Sequence, residues 1–449
     1  MSIMKNGLNR ALLFGIIMCG SVMLGASQAH ADASDQAQRL FQRIAGVPIS
    51  LSDARLAQMI SLIQQGNMLG AAMIAAADDG FSNITVRHLV TPMSNRDQSI
   101  LVPLNDFTST FIGVARDDID ARELLTGNYI YKALDPVNAA SFPNLVPVNA
   151  TIPVTTTDAA GVSTTVNVSI HTDEFVYRSN THFKFLDDNK INLAKSLSKG
   201  AQKVFIGVGQ TAASANVGVA AGVAPQLLTD NAGLLTTRAW AEAHYDAGTN
   251  RRAMAQSLNQ FACYDLAALR DANVIDDRVR KDVDRVPGGS TQTFLTQCRT
   301  CHAMMDAMGG AFASFDYSVQ NGGSYMLYSP NAVQFKMNRK PAYTDGYQTT
   351  DDSWLNRYNN ADNAARFGWK NDGASFSGKG LHSMGVALAN SNAFARCMSI
   401  RAFTEVCRRP PSASEDAVIN ALSGNFISGG YKLKNLISAA AVVPSCIGQ

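Results

Sequence analysis

The sequence predicts a mainly α-helical fold with one small β-hairpin insertion. Two patterns and the composition lead there. Apolar residues at helical spacing, behind Ser, Asp or Asn starts, recur from residue 52 to the C-terminus. Residues 150–171 instead turn Thr- and Val-rich on either side of a short turn. Of 449 residues, 46% are hydrophobic and 16% charged, against about 25% charged in an average soluble domain. That leaves ample apolar surface for cores and excludes a disordered chain.

In chain order, Ser52–Gln65 has a Ser/Asp start and apolar residues at Leu56, Ile60 and Ile63, which is a capped helix. Met68–Ala77 continues as a small-residue helix that stops near Asp79-Gly80. Asn83–Met93 and Leu101–Ala115 read as helices with a Pro-marked break, and Asp117–Thr126 as one with an acidic start. Ala150–Thr157 and Ser163–Ile170 flank Asp158–Gly161 as the hairpin. Residues 199–223 are Gly/Ala-rich and lack G-x-G-x-x-G and G-K-[ST], so they read as a loop or close-packed turn rather than a nucleotide site. Ala232–Leu266 returns to helix. Residues 318–378 are long, polar and aromatic with little periodicity, a kind of stretch that is usually functional. Asn390–Ala440 closes the chain with two or three helices.

The first 31 residues carry an export pattern. Met1–Arg10 holds Lys5 and Arg10 and no acid, Ala11–Leu24 is apolar, and Ala29-His30-Ala31 is a small-x-small cleavage site. Rival readings are a retained N-terminal anchor or a lipid on Cys19, the latter opposed by the bulky Met18 before it. Cleavage leaves 36 Lys+Arg and 36 Asp+Glu, a net charge of zero. A basic-patch nucleic-acid binder is therefore not expected. Nor is a membrane span, since no run of about 20 apolar residues follows residue 31. The expected location is the periplasm, with the cell surface or exterior as the alternative.

Six cysteines follow the export segment. Cys298-Arg299-Thr300-Cys301-His302 is C-x-x-C-H, the attachment sequence of a c-type haem. Two thiols at that spacing add across the porphyrin vinyl groups, and the adjacent His302 reaches the iron as proximal ligand. One covalent haem c is thus the expected cofactor, set in helical domains. A thioredoxin-like thiol pair or half a zinc site is the alternative, although no second Cys/His pair completes a zinc site. Met304, Met305 and Met308 follow His302 too closely to reach the opposite face, so they are expected to pack against the porphyrin. The distal ligand is expected from Met337 or, second, His382, with Met326, Met384 or an open position behind them. Asp306, Asp316 and Arg285 are candidates for hydrogen bonds around the haem or for ordinary surface roles. Cys263, Cys397, Cys407 and Cys446 remain and predict two disulfides in an oxidising compartment. A local Cys397–Cys407 loop would leave Cys263 to Cys446, but three connectivities stay open, and buried free thiols are the alternative.

Several stretches resemble the planctomycete-type cytochrome c family, exported bacterial haem-c proteins built of domains of unknown function. Asn231–Thr236 is similar to that family's R-A-G-L-L-T helix start, and Gly248–Arg252 stands at its Arg-containing turn. Cys298–Asp316 resembles the pattern C-x-x-C-H-x-x-M-D-P-x-G-x-x-x-E-x-[FY]-D, with Ala307 in place of Pro and a small residue in place of Glu. Phe394–Cys397 and Tyr431–Ile437 resemble its C-terminal helical domain. The resemblance implies a helical, single-haem, exported cytochrome and no particular substrate. The organisation expected is a signal (1–31), an N-terminal helical domain with the hairpin (32–225), a haem-c domain (226–378) and a C-terminal helical domain (379–449).

Function follows as an expectation. Electron transfer to a redox partner protein leads. A haem-dependent oxidoreductase with an open distal site is one alternative, and a surface assembly protein that self-associates is another. A simple carrier needs only about 100 residues, so much of this chain would be unexplained by electron transfer alone.

Overall fold

The computed structural model describes residues 32–133, 149–157, 162–171, 176–209, 211, 219, 223–246, 248–320, 323–339 and 341–447. The export pattern at residues 1–31 lies outside them. Short polar residues start the helices as the sequence suggests. Asp32 precedes α1 (Ala33–Ala45), which stops at Gly46 with φ 74°. Asp53 accepts from the Arg55 N–H at 2.9 Å to open α2 (Ala54–Gln64), and Asn67 from the Gly70 N–H at 2.9 Å to open α3 (Met68–Ala76). Asn105 does the same for α4 (Asp106–Arg116) through the Thr108 N–H at 2.9 Å. Then come α5 (Thr181–Asp188), α6 (Arg238–His244) and α7 (Arg251–Ala262). They are followed by α8 (Arg299–Met308), α9 (Ala361–Phe367), α10 (Gly380–Ala389) and α11 (Asn392–Cys407). The chain closes with α12 (Asp416–Ser428) and α13 (Leu433–Ala441).

Leu40, Phe41 and Ile44 on α1 are buried, each worth roughly 1.5–3 kcal/mol of transfer free energy. Their partners come from both ends of the chain. α1 packs on α2 and α3, and α13 packs on both α1 and α3. α11 sits at the centre of the C-terminal half, against α7, α12 and α13. One continuous apolar core runs from Ala37 to Cys446.

Helix makes up 55% and strand 11%, so the mainly-α expectation holds. The hairpin is present as β2 (Asn149–Thr157) paired antiparallel with β3 (Ser163–His171). Among the described residues three further small sheets accompany it. β1 (Tyr129–Lys132) pairs with β4 (Ser198–Ala201). A four-stranded sheet has the order β6-β5-β8-β7, from Gln226–Leu227, Lys203–Ile206, Gly323–Tyr328 and Phe315–Gln320. Within it β5 runs parallel to β8, Phe205 opposite Leu327. β9 (Ser353–Leu355) pairs with β10 (Ser377–Lys379). Lys203–Ile206 is therefore a strand, not the loop expected from its Gly-rich surroundings. The expected helix over Asp117–Thr126 shrinks to Glu123–Thr126, because Asp118 has φ 54° and Asp120 bridges to Lys432.

Two disulfides form, Cys263–Cys397 and Cys407–Cys446. The local Cys397–Cys407 loop is not made. Both residues lie on α11, where ten residues span about 15 Å of helix axis. No helix among the described residues is long and apolar enough to cross a membrane.

Candidate redox site at Cys298 and Cys301

A continuous helical rod carries the C-x-x-C-H sequence. Ser290 opens it, with the Thr293 N–H donating to its hydroxyl at 3.4 Å. A π turn spans Phe294–Cys298, α8 follows, and Gly309–Phe312 ends it as 3-10 helix. Cys298, Cys301, His302 and Asp306 are spaced i, i+3, i+4 and i+8, so they share one face. Cys298 and Cys301 are partly exposed and unbonded. The other described cysteines pair with one another.

The rod is clamped on either side of the thiols. Arg299 donates to the Ala272 and Val274 carbonyls, both at 2.9 Å, and the Asp271 N–H donates to the Thr300 carbonyl at 3.2 Å. At the far end Gly310 approaches β9 so closely that a Cβ there would collide with the Ser353 carbonyl oxygen.

Asp306 is the electrostatic centre. Its side chain is fully buried. Arg251 donates from Nε to Oδ1 at 2.6 Å and from Nη2 to Oδ2 at 2.9 Å, and the Arg280 backbone N–H reaches Oδ2 at 3.1 Å. His302 Nδ1 stands 3.5 Å from Oδ1. Burial works to raise the Asp306 pKa, but the hydrogen bonds from His302 and Arg251 and the Arg280 charge outweigh it and hold the carboxyl well below the usual carboxylate range. An ionised carboxylate only accepts hydrogen bonds. Nδ1 is thus the donor across the gap to Asp306. Arg251 also holds Asp282 at 2.6 and 2.7 Å. Arg280 is 1% exposed, donates to the Thr249 carbonyl at 2.6 Å, and has its pKa lowered by burial.

The expected haem c does not fit this arrangement. Among the described residues no group of three or more His, Cys, Asp or Glu is placed to hold a metal ion. The distal candidates are engaged elsewhere. Met337 is buried with its sulfur 3.9 Å from Arg280 Nη1. His382, on α10, turns Nδ1 to the Asn231 carbonyl at 2.5 Å. Met326 lies in β8 and Met384 in α10, both buried. Met304, Met305 and Met308 are buried as the spacing suggested, but in protein packing, with Met304 sulfur 3.5 Å from Asn360 Nδ2. The covalent haem cofactor is accordingly corrected.

Other expected residues have structural roles. Asp316 pairs with Lys336 at 2.5 Å in the core. Arg285 stacks on Phe294 and Tyr343 and donates to the Val279 and Val283 carbonyls. Sequence reasoning passed over Arg251, Arg280 and Asp282 as a set. The available signal was Asp306 four residues beyond His302, a buried-face carboxylate that needed a cation.

The chain matches no family model, no curated protein and no solved structure.

Proposed function

We propose that this is an exported electron-transfer protein whose carrier is the Cys298–Cys301 thiol pair. One observation carries the reading: these two cysteines stay free one helical turn apart at the surface, while four others form disulfides. The two disulfides, with the export pattern of residues 1–31, support an oxidising compartment.

The exchange runs in two steps. His302, one turn from Cys298, takes the Cys298 thiol proton at Nε2, and Asp306 steadies the resulting imidazolium. The Cys298 thiolate attacks one sulfur of a partner disulfide, a mixed disulfide forms, and the partner's other sulfur leaves as thiolate. His302 hands that proton to the leaving thiolate and takes the Cys301 proton in its place; the Cys301 thiolate then attacks Cys298 Sγ and releases the second partner sulfur, which receives the proton from His302. Two electrons and two protons pass from the pair to the partner. Partial exposure of both thiols gives the partner access.

The test is intact-mass analysis with differential alkylation on the native exported protein, which carries the six cysteines that follow the export segment. After mild reduction, two labels are expected at Cys298 and Cys301 and none at the other four. The Cys298→Ser variant should lose disulfide-reducing activity. A porphyrin adduct on the two cysteines, or equal labelling of all six, would overturn the reading.

A further inference from the structure

The thiol chemistry makes no use of the buried pair between Asp316 and Lys336. Asp316 lies on β7, and Lys336 in a 3-10 turn at Phe335–Met337. Their side chains are 4% and 3% exposed, with Lys336 Nζ 2.5 Å from Asp316 Oδ1. Tyr245, whose ring stacks on Phe315 in the core, offers its carbonyl to the same Nζ at 2.6 Å.

The pair is incompletely satisfied as an ion pair. Nζ uses two of an ammonium's three N–H groups, on Asp316 Oδ1 and the Tyr245 carbonyl, and meets no third partner among the described residues. Oδ1 also accepts the Tyr317 N–H at 2.8 Å. Oδ2 is buried and accepts nothing from the described residues. It lies against Gly209, where a Cβ would overlap it. A bare oxygen on a buried carboxylate is costly. Burial also lowers the Lys336 pKa, which favours the amine. A C–O bond is about 1.2 Å long, so Nζ lies within about 3.7 Å of Asp316 Cγ. Atoms ready to react stand roughly 3–3.5 Å apart.

We propose that these two side chains condense to an amide crosslink in the folded protein. One ammonium proton passes to the carboxylate and ends on Oδ2. The amine attacks Cγ, and the Tyr317 N–H holds the charge that gathers on Oδ1. A second proton moves from the nitrogen to Oδ2, the Cγ–Oδ2 bond breaks, and one water leaves. The Nζ–Cγ bond takes its place without oxidant or reductant. In the product the remaining N–H keeps the Tyr245 carbonyl, and Oδ1 keeps the Tyr317 N–H. The bare oxygen is gone, whereas a plain ion pair would retain it.

The test is peptide mass mapping of the native exported protein, denatured, reduced and alkylated before digestion. Trypsin finds no Lys or Arg between Arg299 and Lys336. The crosslinked chain should therefore yield the peptide Thr300–Arg339, uncut after Lys336 and one water lighter than its sequence. Chymotryptic cuts after Tyr325 and Tyr328 should leave its two arms joined. K336R cannot form the bond, so its peptide should carry full mass and be cut at position 336. A wild-type peptide of full mass, cut after Lys336, would overturn the proposal. So would a water-light peptide whose arms separate at Tyr325, or a water loss that persists in K336R. The wild-type map decides even where K336R fails to fold.

Discussion

Arg251 grips the Asp306 carboxylate with two hydrogen bonds, 2.6 Å from Nε and 2.9 Å from Nη2, on the rod that carries His302. Because the Asp306 side chain is fully buried, that grip is what allows a charge to stay on it. Arg251→Met should leave the carboxylate without its main partner and lower stability by about 3 kcal/mol or more. Adding Asp306→Asn should restore part of the loss. Urea unfolding followed by circular dichroism checks both; equal stability of the wild type and R251M would refute the account.

The disulfides close loops of different length. Cys263–Cys397 spans 134 residues and Cys407–Cys446 spans 39. In the chain-entropy description they constrain the unfolded chain by about 5 and about 4 kcal/mol. Paired Ser substitutions should therefore lower Tm in both cases, more for C263S/C397S. Thermal unfolding without reductant measures the order.

His182 gives stability a pH dependence. It is 1% exposed, and its Nε2 accepts the Ala133 N–H at 3.3 Å. Burial, with the Lys132 charge adding, pushes its pKa down to about 4. The unfolded chain takes up the same proton near pH 6.5. The stabilising contribution is thus fully present above about pH 6.5 and falls as pH drops toward 4, by up to about 3 kcal/mol. His182→Gln keeps an acceptor and does not titrate, so its stability curve should be flatter over that window. Unfolding free energies at a series of pH values decide it.

Gly310 is where the rod meets β9. A methyl group there would collide with the Ser353 carbonyl. Gly310→Ala should push β9 off the rod and lower stability by about 1–3 kcal/mol, the usual scale for overpacking. Hydrogen exchange at the β9–β10 amides should rise with it. An unchanged exchange pattern would show that the contact yields without cost.

Legibility in the sequence tracked how local the deciding interaction is. α2 and α3 were readable because Asp53 and Asn67 cap them within three residues of chain. β5 was not, because what makes Lys203–Ile206 a strand is β8, more than a hundred residues on. The disulfide partners were hidden for the same reason: only the packing of α7 on α11 brings Cys263 to Cys397. At the site, the shared face of Cys298, Cys301 and His302 follows from spacing alone. The step from that face to an iron needed a distal ligand, and Met337 and His382 are held by Arg280 and Asn231 instead. Asp306 was recognisable as a carboxylate near the site, but its partner Arg251 lies 55 residues upstream.

The packing of α13 on α1 and α3 sets a timetable for the polypeptide. The apolar faces that begin at Ala37 acquire part of their cover only when Leu433–Ala441 exists, and Arg43 finds the Cys446 carbonyl only at the end of the chain. A nascent chain emerging N-terminus first therefore cannot complete its first layer early. Until residues 433–441 are present, the layer formed by α1 and α3 is left with apolar surface uncovered.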